Sequence, residues 1–337
     1  MRTEGLFDLQ VNGYGGVDFN DAALTADRLD HALVAMLHDG VTGCLPTLIT
    51  ATPEQLRDRI AALDAAVQGS RLGPLMVPGY HLEGPFLNAG KGYHGCHPAA
   101  AMSDPDRALV ADLEAGLSRP ILLLTLAPER PGALDAIRHW AAEGKTLAVA
   151  HSAADFACVR AAADAGLSLS THLGNGLPQM LPKLDNTLLA QLAEPRLAAC
   201  LIADGHHIPP EALRALIALK GPERCILVSD AVVAAGMPPG DYCFAGMGVR
   251  LTPEGRVVQP SGTGLAGSAL RLDQAVRNLV DWSIAPPEMA AAMAGSAPRA
   301  ALRRTFDRHG ITLDPGEVTW SDALRPRISR RPAVLRR

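Results

Sequence analysis

Short apolar runs alternate with longer stretches in which apolar residues recur every three or four positions, and the alternation carries through most of the chain. The runs lie at 6–11, 42–48, 75–82, 121–126, 146–150, 167–170, 198–202 and 225–228. Runs of this length without internal alternation read as strands buried on both faces. Between them, 26–38, 53–67 and 209–218 have the period of amphipathic helices, and Pro53 and Pro209 stand where a helix begins. Strands and helices in repeated alternation predict an α/β chain folded as a (β/α)8 TIM-like barrel. After Gly236 the texture changes to short β segments at 241–244, 247–251 and 256–259, with Pro253, Glu254 and Gly255 forming a turn. Helical patterns return at 272–282 and 289–306, and the tail from Gly310 is sparsely β-like. The expected division is a barrel from 6–235 and 264–308, and a small, reduced β domain with tail from 1–5, 236–263 and 309–337.

Polar residues recur where the apolar runs end. The first run leads into Gln10-Val11-Asn12, the third into His81-Leu82-Glu83, the fifth into His151, the sixth into Thr171-His172, the seventh into Asp204-Gly205-His206-His207, and the eighth into Ser229-Asp230. In a parallel barrel these strand exits share one rim, where ligands collect, whereas charge at the end of an apolar strand is otherwise costly. The unit from 147 to 175 is the clearest case: a strand ending at His151, an Ala-rich helix closed by Gly166, and a strand ending at His172. Two imidazoles on neighbouring strands can face one pocket.

Composition narrows the partners. The chain has 337 residues, long enough for one large barrel, and is 48% hydrophobic and 20% charged, as globular proteins are. Its net charge of -4 and 4% aromatic content exclude a basic, aromatic platform for nucleic acid, and the arginines between Arg325 and Arg337 read as a solvated tail. No apolar run is long enough to span a bilayer, and the first residues lack the pattern of a signal peptide. The expectation is a cytoplasmic protein with no nucleic-acid or membrane partner. Six cysteines without a Cys-x-x-Cys pair indicate neither a zinc finger nor a disulfide framework.

Glu83, His151 and His172 together supply one carboxylate and two imidazoles, a set suited to one Zn2+ or Fe2+ with a position left open for water. Such a site needs a proton carrier. Asp230, at the end of an apolar strand, is the candidate acid/base.

The blocks HLEGPFLNAGKGYHGCHP, AHSAAD, STHLGNGLP, LIADGHHI, VSDAVVAAG and LAGSALRLDQAVRN, in unbroken order over about residues 6–305, resemble the N-acetylglucosamine-6-phosphate deacetylase family of the amidohydrolase superfamily. The resemblance implies hydrolysis of the acetamide of N-acetylglucosamine 6-phosphate to glucosamine 6-phosphate and acetate. It implies Glu83, His151 and His172 as metal ligands, Asp230 as catalytic acid/base, and His94 as a histidine that polarises the amide carbonyl. It also places Asn175, Gly176 (through its backbone) and His207 at the sugar. His206, Cys96 and His97 have no role in the resemblance and read as ordinary loop polarity.

Three departures matter. Gln10-Val11-Asn12 stands where many amidohydrolases carry His-x-His, which predicts one tightly held divalent metal ion per site. The loop arginine that binds phosphate in the family is missing, and Lys183 is the substitute the sequence offers, with a point charge in place of a planar fork. An amidohydrolase acting on an unphosphorylated N-acyl sugar or other small amide is therefore the alternative. Only seven residues precede the Asp-Leu-Gln-Val-Asn-Gly motif, so the small β domain should be open-edged, and its edge could pair in a homodimer. A reading from another class, a barrel that binds sugar phosphate without catalysis, is opposed by the complete set of Glu83, His151, His172 and Asp230.

Overall fold

The computed structural model describes residues 1–259 and 264–332; the parts of the expected β domain and arginine-rich tail at 260–263 and 333–337 lie outside the described residues. Eight parallel strands form one sheet in sequence order: β1 (Leu6–Val11), β2 (Val41–Ile49), β3 (Tyr80–Glu83), β4 (Ile121–Leu126), β5 (Thr146–Val149), β6 (Leu167–Ser170), β7 (Ala198–Leu201) and β8 (Cys225–Leu227). The ring closes just beyond β8. There Ala231 bridges Val11 in parallel, the Asp230 N–H donates to the Gln10 carbonyl at 2.9 Å, and the Asn12 N–H donates to the Ala231 carbonyl at 2.7 Å. A TIM-like barrel results, as the repeat pattern predicts. Every residue of β1, β2 and β4 is buried, which is why these strands read as continuous apolar runs.

The helices follow their end signals. Thr52 and Gln55 form a reciprocal capping box at the start of Pro53–Gly69. Asp155 caps Phe156–Ala165, and Gly166 ends it with φ 122°. This fixes the strand, helix, strand unit that separates His151 from His172.

Two expectations are corrected. The run 75–82 is a strand only in its second half, since Gly73–Met76 is a short helix; Pro78, with no N–H to give a ladder, precedes the strand start at Tyr80. The stretch 289–306 falls within three helices, Pro287–Ala294, Ser296–Ala301 and Arg303–Arg308. Gly295, between the first two, sits outside helical geometry at φ -120°, ψ -80°.

The segments of the expected small β domain form two sheets, apart from the two-stranded Gly13–Tyr14 and Val17–Asp18 ribbon after β1. Gly240–Phe244, Met247–Leu251 and Val257–Val258 make an antiparallel meander whose Phe244, Val249, Leu251 and Val257 pack with Ile49, Val232, Val233 and Ala266. That second core seats the meander on the barrel mouth. Arg2–Glu4, Glu317–Trp320 and Pro326–Arg330 make the other sheet, with Glu317–Trp320 in the middle. Part of the arginine-rich tail is thus an edge strand. No helix among the described residues is long and apolar enough to cross a membrane.

Candidate active site

The strand exits surround a cavity of about 520 Å³. Glu83 ends β3, and His151, His172 and Asp230 lie just past β5, β6 and β8; all four are buried. At each of the last three the backbone turns through left-handed space, with φ of 48°, 31° and 48°. Among described non-glycine residues only three others do so. Each such residue costs about 1 kcal/mol or more, so the packing around the cavity mouth must hold these exits in place.

The three ligand-type residues converge. His172 Nε2 is 2.8 Å and His151 Nε2 3.5 Å from the same oxygen, Glu83 Oε1. Gln10 Nε2 donates to the other oxygen at 3.0 Å. Burial works to raise the Glu83 carboxyl's pKa, but its contacts with His151 and His172 outweigh it and hold the group well below the usual carboxylate range. For His172, burial works to lower the pKa and the hydrogen bond to Glu83 wins, raising it.

This donor set fits a divalent cation. His151 Nδ1 lies 2.6 Å from the Tyr93 carbonyl, which can only accept, so Nδ1 carries a proton and Nε2 is the ring atom turned toward Glu83. A carboxylate oxygen and two imidazole Nε2 atoms gathered at one point are donor types that a divalent ion takes. Among the described residues His172 Nδ1 is buried without a partner, and the Gln10 and Asn12 amide oxygens are likewise unpaired, so polar capacity is concentrated around this point.

Asp230 faces the same space. Asn12 Nδ2 donates to its Oδ1 at 2.8 Å. Burial pushes its carboxyl up to about 6, with the Glu83 charge adding to the rise, which suits a group that takes up and gives back a proton near neutrality. Gln10 and Asn12, at the position of the missing His-x-His, thus each donate to one of the two carboxylates.

His97 was missed by the sequence reading, which treated it as loop polarity. It is 4% exposed, its Nδ1 is 2.9 Å from Thr50 Oγ1, and its Nε2 is 3.9 Å from Glu83 Oε2. Donor atoms of Glu83, His97 and His151 lie within 4.8 Å of one another. Burial pushes the His97 ring down to about 3, with His151 adding to the fall, so it is neutral. His94, three residues earlier, is not among the residues lining the cavity. The loop from Gly90 to His97 turns twice, and only its second histidine arrives under Thr50. Two histidines spaced by Gly-Cys were the available signal, but loop residues have no period that says which one points inward.

The remaining predicted residues divide. Asn175, Gly176 and His207 line the cavity. Gly176, at φ 64°, lies so close to His151 that a Cβ there would sit 2.4 Å from Nδ1. His207 Nδ1 is 2.7 Å from Asp204 Oδ2. Lys183 is exposed and outside the lining, because the loop carrying it runs over the surface before the helix Thr187–Ala193. Arg256 and His206 line the cavity, and the sequence reading gave neither a role.

No family model matches the chain. Individual relatives do. An N-acetylgalactosamine-6-phosphate deacetylase of Escherichia coli O157:H7 is 36% identical over 296 residues, 88% of this chain and 76% of that protein. An N-acetylglucosamine-6-phosphate deacetylase of Vibrio furnissii is 34% identical over 301 residues, 88% of this chain and 73% of that protein. In structure, a mutant N-acetyl-D-glucosamine-6-phosphate deacetylase from Mycobacterium smegmatis, in complex with N-acetyl-D-glucosamine-6-phosphate, superposes with a TM-score of 0.85 at 28% identity, covering 96% of this chain and 84% of that one. With its barrel, its buried Glu and His cluster and these relatives taken together, the chain belongs to the N-acetylglucosamine-6-phosphate deacetylase family of the amidohydrolase superfamily.

Proposed function

We propose that the chain is a metal-dependent carbohydrate deacetylase that hydrolyses the acetamide of N-acetylglucosamine 6-phosphate, giving glucosamine 6-phosphate and acetate. The observation that carries this is the convergence of two histidine Nε2 atoms on one Glu83 oxygen, beside a carboxyl held near neutrality at Asp230. Glu83, His151 and His172 would hold one divalent ion, Zn2+ or Fe2+, with Gln10 restraining the second Glu83 oxygen. A bound ion supplies Lewis-acid polarisation of the amide and acidifies water.

The chain's own residues do the rest. Asp230 takes a proton from the attacking water and delivers it to the departing amine nitrogen; Asn12 keeps one carboxylate oxygen oriented while it does so. His97, rather than His94, faces the acyl group, held by Thr50. Asn175, Gly176 and His207 meet the sugar, with His207 braced by Asp204. Cytoplasmic location accords with a phosphorylated sugar substrate. A homodimer pairing through the exposed edge Pro326–Arg330 is tested by sedimentation, where a monomer at micromolar concentration counts against it.

A second reading, N-acetylgalactosamine 6-phosphate as substrate, is favoured by the 36% identity to a deacetylase of that name. Amine release from both phosphorylated sugars and from N-acetylglucosamine, with protein reconstituted separately with Zn2+ and Fe2+, tests all of these. Activity on none, with metal bound, rejects the proposal and leaves other small amides.

A further inference from the structure

The cavity floor is acidic and its rim is not. Glu83 and Asp230 lie at the strand exits, whereas the single arginine or lysine among the described lining residues is Arg256, on the meander that covers the mouth. A phosphorylated ligand brings at least one negative charge into a space whose floor already holds two carboxyl groups. It needs a cation at the far end.

We propose that Arg256 is that cation, the residue by which this chain selects a phosphorylated sugar, and that His206 is a positioning residue for it. The inference deepens the deacetylase reading and rests on it for the identity of the ligand. The arm bearing Arg256 is braced in three places. Its own turn closes with Thr252 N–H to the Arg256 carbonyl at 2.9 Å, Gly255 N–H to the Thr252 carbonyl at 3.0 Å and Arg256 N–H to Thr252 Oγ1 at 3.3 Å. The strands leading to it are anchored through Val249, Leu251 and Val257 in the core shared with Ile49 and Val232. The turn is fastened to the loop after β7 by His206, whose Nε2 donates to the Glu254 carbonyl at 3.0 Å.

That fastening carries further information. The Asp204 carboxylate accepts the backbone N–H groups of His206 and His207, both at 2.8 Å, so one short loop sets His207 at the cavity wall and holds the Arg256 turn beside it. Arg256 and a predicted sugar-binding residue, His207, therefore line the same cavity, on two elements distant in sequence that the His206–Glu254 clamp joins. A guanidinium offers the planar, bidentate fork that suits a phosphate, which Lys183 lacks in chemistry and, being outside the lining, in position.

The test compares kcat/KM for N-acetylglucosamine 6-phosphate with that for N-acetylglucosamine in metal-reconstituted wild type, Arg256→Gln, Arg256→Lys, His206→Ala and His206→Gln. Arg256→Gln should lower the preference for the phosphorylated sugar by about 10- to 100-fold, chiefly through KM, with Arg256→Lys in between. His206→Ala should raise KM for the phosphorylated sugar several-fold, and His206→Gln, which keeps an N–H donor for Glu254, should restore it. A preference that survives Arg256→Gln, or equal losses on both sugars, overturns the inference.

Calorimetry with glucosamine 6-phosphate and with glucosamine separates it from the deacetylase reading. If wild type hydrolyses neither amide, that reading fails. Binding of glucosamine 6-phosphate weakened at least tenfold by Arg256→Gln still supports Arg256. Binding that the variant leaves as it was, or no phosphate-dependent binding at all, overturns it.

Discussion

The floor and the rim of the cavity are built differently. On the floor, Glu83, His97, His151, His172 and Asp230 are all buried and tied to one another or to Gln10, Asn12, Thr50 and Tyr93; all but His97, which a loop carries, are fixed at or beside strand ends. On the rim, His206, Gln179 and Arg256 are exposed and carried by loops and a hairpin turn. Bond-breaking groups must be held within a fraction of an ångström, whereas a phosphate can be met by a charged side chain on a braced arm. On the reading proposed above, the floor dictates which bond is cleaved, and the rim which molecule is admitted.

Substitutions on the floor should act on kcat, and the largest effect belongs to Asp230. Asp230→Asn is expected to lower kcat on the order of 10²- to 10⁴-fold while metal content, measured by elemental analysis, stays at the wild-type level. Loss of metal instead would move Asp230 into the ligand set. Because the working form is the ionised carboxylate and its pKa lies at about 6, activity should fall as pH drops below about 6 and level off above it. A flat acid limb would remove Asp230 from the proton-transfer role.

Next in size is the contrast between two histidines of one loop. His97→Ala should reduce kcat/KM by roughly 10- to 100-fold, and His94→Ala by much less, since only His97 faces Glu83. The reverse order would return the assignment to His94. Gly176→Ala comes third: a Cβ 2.4 Å from His151 Nδ1, at φ 64°, must displace the ring or the loop. A loss of about tenfold in kcat, with a lower metal affinity in competition with a chelator, is the expected result. Wild-type metal affinity would show that the loop yields instead.

The smallest effect is on stability. Burial pushes Asp8, below the floor in β1, up to about 7, although Gln10 and Ser229 N–H groups donate to it. The fold thus favours its protonated form. That contribution is complete below the unfolded value of 3.8 and is lost as pH rises through about 7. Asp8→Asn should gain about 1–2 kcal/mol over wild type at pH 8 and almost nothing near pH 4, read from denaturant melts. An equal effect at both pH values would mean that Asp8 ionisation is not coupled to folding.

The barrel and most of its floor were legible in the sequence for a physical reason. Strands buried on both faces leave unbroken apolar runs, and a charged residue ending such a run needs a partner, so Glu83, His151, His172 and Asp230 stood out. Their supporting contacts did not. Gln10 reaches Glu83 across 73 positions and Asn12 reaches Asp230 across 218, and no local pattern encodes either pairing. The rim was harder still, since loops carry no period. His97 was passed over in favour of His94, Lys183 was offered only as the substitute for a loop arginine that this chain lacks, and Arg256 lay in a hairpin read only for its strands and turn.

One residue serves both the barrel and its chemistry. Asp230 gives its N–H to Gln10 and its carbonyl to the Ser268 N–H, stitching the last strand to the first while its side chain meets Asn12. During synthesis β1 emerges well before Asp230 and Ser268, so the proposed proton carrier takes its working position only when the ring has closed. A partly folded chain holding β1 to β7 would contain every metal ligand and still be inert. Catalytic competence thus waits on closure of the ring.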